Sequence, residues 1–61
     1  MDDDRQAAEQ LRTARRWVAA HDALEDARAD DAPLAALLGL VEAEFVARAT
    51  HVALVRGDVW A

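Results

Sequence analysis

Beside twelve aspartates and glutamates, the residues that most directly invite a metal-ligand or general-base reading are two histidines, His21 and His51. In a chain that turns back on itself near residue 31, His21 lies level with about Val41 and His51 with about Leu11. The two imidazoles are then ten residues apart in level, roughly 15 Å at the helical rise. One chain therefore does not place both on one ion, although a dimer could bring His21 of one copy near His51 of the other. Carboxylate-bridged metal bundles use a Glu-x-x-His pair on a helix. Here Phe45 stands three residues after Glu42, and Ala47 three after Glu44. No metal and no cofactor are expected; His21 reads as part of a core face and His51 as a surface or interface residue.

Glu44 and Arg48 stand four residues apart in the favourable helical order, which reads as an ion pair flanking a core. Thr13 and Thr50 are the only hydroxyl side chains and the chain has no cysteine, so neither a nucleophile with a base nor a disulfide can be assembled. Catalysis by this chain is not expected. Arg12, Arg15 and Arg16 next to Trp17 could meet phosphates while the indole stacks on a base. However, Arg5, Glu9, Arg12 and Arg16 form a mixed-sign ladder, and the whole chain carries a net charge of −5. Nucleic acid is thus not an expected partner. Arg56-Gly57-Asp58 matches an integrin-binding tripeptide by letters, but it reads better as a helix stop.

The elements that position these groups follow from punctuation. Ala29-Asp30-Asp31-Ala32-Pro33 is the one clear break: either aspartate can cap a helix, and Pro33 suits a first helical turn. Asp2 to Asp4 place negative charge where a helix N-terminus favours it. Helix 1 is expected over about 3–28, a turn over 29–32, helix 2 over about 33–56 and a short tail over 57–61. No strand is expected from a composition rich in alanine, leucine, arginine and glutamate. The expected fold is all-α, an antiparallel two-helix hairpin.

Helix 1 is amphipathic, with Ala7, Leu11, Ala14, Trp17, Val18, His21 and Leu24 on one side. Helix 2 is apolar nearly all round. Leu34, Leu38, Val41, Phe45, Ala49 and Val52 form a stripe of mostly large side chains, suited to cover helix 1, and a second stripe of small residues lies behind it. One partner helix covers one face only. The second face, Ala36, Gly39, Leu40, Ala43, Ala47, Thr50 and Leu54, is the expected oligomer interface, because small residues at four-residue spacing let another helix approach closely. A second copy across a two-fold axis would complete a four-helix bundle.

Size points the same way. A chain of 61 residues without cysteine cannot be stapled by disulfides, and folds this small need outside help. The longest uncharged run, Ala32 to Val41, is ten residues where a membrane span needs about twenty, and Met1-Asp2-Asp3-Asp4 is unlike the basic start of a signal peptide. A cytoplasmic location with no membrane association is expected. The charge is concentrated between residues 17 and 31, which net −4, so the seam of helix 2 is nearly uncharged.

These features predict a small, non-catalytic interaction or regulatory module that self-associates through helix 2, or the small subunit of a larger assembly. An alternative from a different class is an accessory or substrate peptide for an enzyme. In that reading the C-terminal tail is the working end, with Val59 and Trp60 docking into another protein. A metal- or ligand-binding bundle using His21 and His51 is a third.

Overall fold

The computed structural model describes residues 2–57, with side chains from residue 3 onward. It is a helical hairpin. Helix α1 spans Asp2–Ala29 and helix α2 spans Leu34–Arg56; they pack against each other, and no strand occurs among the described residues. The hairpin is a flat slab, 45 × 19 × 11 Å between Cα extremes.

Neither glycine nor proline interrupts α1, and its ends suit the helix dipole, with Asp3 and Asp4 in the first turn and Arg28 in the last. It stops at Asp31, which adopts φ 54°, the left-handed region. The Ala32 N–H donates to Ala27 O (3.0 Å) and the Asp31 N–H to Arg28 O (3.2 Å), the paired bonds of a Schellman cap. Asp31 thus terminates α1, where sequence placed it or Asp30 as the cap of the second helix. Pro33 itself takes the N-cap position of α2, with φ −57° and ψ 149°. Its carbonyl accepts from the Leu37 N–H at 3.0 Å, and no side chain caps the helix. At the far end Gly57, with φ 74°, donates its N–H to the Ala53 and Leu54 carbonyls. The Arg56-Gly57 step is a helix stop.

The seam between the helices follows a three-four repeat on both. Gln10, Thr13, Trp17, Ala20, Leu24 and Ala27 of α1 face Leu37, Leu40, Glu44, Ala47, His51 and Leu54 of α2, and all twelve are buried or half-buried. This is the a/d spacing of a coiled coil. Leu24 and Ala47 are the most buried hydrophobic residues among those described, each 7% exposed.

The large apolar stripe of α2 does not cover α1. Leu34, Leu38, Val41, Phe45 and Val52 all lie exposed, Leu34 at 71% and Phe45 at 57%. Leu11, Val18 and His21, expected on the core face of helix 1, are exposed as well. The reason is that the seam is chosen by mutual satisfaction of polar groups as well as by apolar area. Thr13, Trp17, Glu44 and His51 find partners in one another only when their own faces meet, and an unpartnered buried polar group is costly. The described residues leave no buried side-chain nitrogen or oxygen without a partner.

Candidate functional site

Two regions stand out: a polar cluster inside the seam, and the apolar face beside it. In the cluster, α1 supplies Thr13 and Trp17 and α2 supplies Glu44 and His51. Thr13 Oγ1 lies 3.0 Å from the Gln10 carbonyl and 2.7 Å from His51 Nδ1. A hydroxyl has one proton. When it donates to Gln10 O, the His51 contact requires Nδ1–H to be the donor, which places the neutral ring's lone pair on Nε2. The imidazole stands against the Trp17 ring, with centroids 5.8 Å apart and planes at 40°. Trp17 Nε1 in turn donates to Glu44 Oε1 at 2.9 Å.

Glu44 therefore turns to the indole rather than to Arg48, whose guanidinium carbon stands 5.5 Å from the centre of the Phe45 ring. Trp17, which sequence sets beside an arginine cluster, is half-buried in the seam, while Arg12 is paired with Glu9 at 2.7 Å. With its hydroxyl engaged and only 8% of its surface exposed, Thr13 is a bridging residue and not an accessible nucleophile.

His21 and His51 are not brought together. His51 is level with Thr13, so His21 lies eight residues further along α1, about 12 Å at the helical rise. No group of three or more histidine or carboxylate side chains able to hold a metal occurs among the described residues. His21 instead joins Trp17, Val18, Glu44 and Arg48 around an open groove of about 420 Å³ on one flank of the seam.

The seven residues expected to form the oligomer interface divide. Ala47 is buried against α1 and Leu40 and Leu54 are half-buried, so these three belong to the hairpin's own seam. Ala36, Gly39, Ala43 and Thr50 are exposed along the opposite flank. The last three of these, with Arg16, Val46 and Ala47 among their neighbours, line a second groove of about 460 Å³. A Cβ added at Gly39 would meet nothing within 4 Å, so packing inside the hairpin does not require glycine there. Val59 and Trp60, the candidate docking residues of the tail, lie outside the described residues.

The broad apolar face was not recognised as the open one from sequence. In an antiparallel pair the residues just beyond the seam on one side of each helix fall on a common surface. Here α1 contributes Leu11 and Val18, and α2 contributes Leu34, Leu38, Val41, Phe45, Val52 and Val55. All eight are exposed, and Val52, the least exposed, still shows 37% of its surface. Soluble monomers rarely show contiguous apolar patches beyond a few hundred Å². No helix among the described residues is long and apolar enough to cross a membrane. Comparison with known proteins finds no matching family model, no matching curated protein and no matching solved structure.

Proposed function

We propose that this chain is a small, non-catalytic interaction or regulatory module that works by self-association through α2, completing a four-helix bundle as a homodimer or as the small subunit of a larger assembly. The observation that carries this reading is the exposed apolar face: Leu34, Leu38, Val41, Phe45, Val52 and Val55 of one helix lie open while, among the described residues, Leu24 and Ala47 are the only buried hydrophobic ones. A hairpin that leaves six large apolar side chains of one helix uncovered gains further apolar burial from a partner. The polar seam supports a structural role as well, since its hydrogen bonds are spent on holding the two helices in register.

Sedimentation equilibrium of the full chain tests this. The expected result is a concentration-dependent mass approaching twice the 6.7 kDa of one chain, with helicity and melting temperature rising together with concentration. A fully helical monomer at micromolar concentration would overturn the reading.

A further inference from the structure

The structure separates two surfaces on which self-association could occur, the small-residue flank at Gly39 and Ala43 and the broad face at Phe45. We infer that a second copy of this chain covers the broad face, with α2 lying antiparallel on the other copy's α2 about a two-fold axis at Phe45. This inference rests on the self-association reading and adds the face, the orientation and the register.

Three observations carry it. The first is the symmetry of the face itself: Leu38 and Val52 lie seven residues before and after Phe45, two helical turns each way, and all three are exposed. An antiparallel two-fold at Phe45 therefore sets Leu38 of each copy against Val52 of the other, and Phe45 against its own counterpart. A parallel arrangement gives Leu38 and Val52 only their own counterparts and gains nothing from this symmetry.

The second is area. The broad face, 45 × 19 Å between Cα extremes, has a footprint of about 850 Å², which supplies the roughly 800 Å² per partner of a stable protein interface when a second copy covers the whole of it.

The third is charge. Arg48 is the charged residue that α2 presents beside Phe45, and it lies three residues beyond it. The two-fold brings Arg48 level with residue 42 of the other copy's α2. Since Thr13 is level with His51, residue 42 is in turn level with Asp22 of the same copy's α1, between His21 and Glu25. Each Arg48 thus approaches the acidic stretch of the opposite α1 that holds Asp22 and Glu25, the latter 3.7 Å from its own Arg28, so a basic side chain meets a segment of opposite net charge.

Because the chain contains no cysteine, single-cysteine variants report the geometry cleanly. Phe45→Cys is expected to cross-link to itself with a short bifunctional maleimide. Leu38→Cys and Val52→Cys are each expected to fail alone but to cross-link when mixed. Sedimentation of Phe45→Glu is expected to give a single-chain mass, while Ala43→Glu keeps the doubled mass. Self-cross-linking of all three cysteine variants would overturn the antiparallel register. A dimer that survives Phe45→Glu and is lost in Ala43→Glu would overturn the face while leaving self-association in place. A monomeric parent chain would remove both.

Discussion

The Thr13 hydroxyl and the His51 imidazole meet at 2.7 Å across the hairpin, from positions 38 residues apart in the chain. The hydroxyl also reaches the Gln10 carbonyl at 3.0 Å, so it links the α1 backbone to a ring on α2. This bridge fixes which residue of one helix is level with which residue of the other. The same bridge sets Glu42 level with Asp22.

Replacing Thr13 with valine keeps the volume and removes the acceptor for His51 Nδ1. The loss should be about 1–2 kcal/mol, the cost of leaving a partly buried donor without its partner. Thermal melts of the parent and Thr13→Val at matched concentration measure it. Nitrogen-15 shifts of the neutral His51 ring should show the proton on Nδ1 in the parent. A neutral ring protonated on Nε2, or a melt unchanged by Thr13→Val, would contradict the bridge.

Trp17 Nε1 donates to Glu44 Oε1 at 2.9 Å in a half-buried setting, which separates two substitutions at position 44. Glu44→Gln retains a carbonyl acceptor and should cost under about 1 kcal/mol, whereas Glu44→Leu orphans the indole N–H and should cost about 1–3 kcal/mol. Denaturant melts followed by tryptophan fluorescence in a Trp60→Phe background isolate Trp17. Equal stability of the two variants would show that the indole finds no partner in Glu44.

The hairpin itself was legible in sequence: a proline after two aspartates, a glycine near the end and helix-forming residues between them place two helices and a turn. The seam was not. Hydropathy ranks Leu34, Leu38, Val41, Phe45 and Val52 above Leu37, Leu40, Glu44, Ala47, His51 and Leu54, and on that scale the first set covers α1. The signal that could have corrected this is the unbroken three-four spacing of the second set, matched by Gln10, Thr13, Trp17, Ala20, Leu24 and Ala27. Reading it requires treating glutamate and histidine as seam residues, which becomes sensible only once Trp17 and Thr13 are known to be their partners. Aspartate at the turn hid a second ambiguity, since it serves equally as a cap for the following helix or as a left-handed stop for the preceding one.

That stop is testable. Asp31 holds φ 54°, a conformation costing most L-residues roughly 1–2 kcal/mol and aspartate somewhat less. Asp31→Gly removes the strain but adds freedom to the unfolded chain, leaving a net gain of about 0.5 kcal/mol or a rise of roughly 2–4 °C in melting temperature. Asp31→Val should instead lower it, because a branched side chain fits the left-handed region poorly. If valine is tolerated as well as glycine, Asp31 does not carry the left-handed cap.

Gly39 discriminates between the two flanks of the seam without adding a charge or much volume. Within one chain a Cβ at this position meets nothing within 4 Å, and glycine in a helix interior costs about 1 kcal/mol relative to alanine. If the broad face at Phe45 is the one a second copy covers, Gly39 remains open in the dimer too. Gly39→Ala should then raise the melting temperature by about 4–8 °C, the shift that 1 kcal/mol produces in a domain of this size. Its association constant should match the parent's. If helices instead cross at Gly39, the added methyl separates their backbones, and the variant should lose both stability and association. Calorimetry and sedimentation on the same samples, at matched concentration, decide between these outcomes.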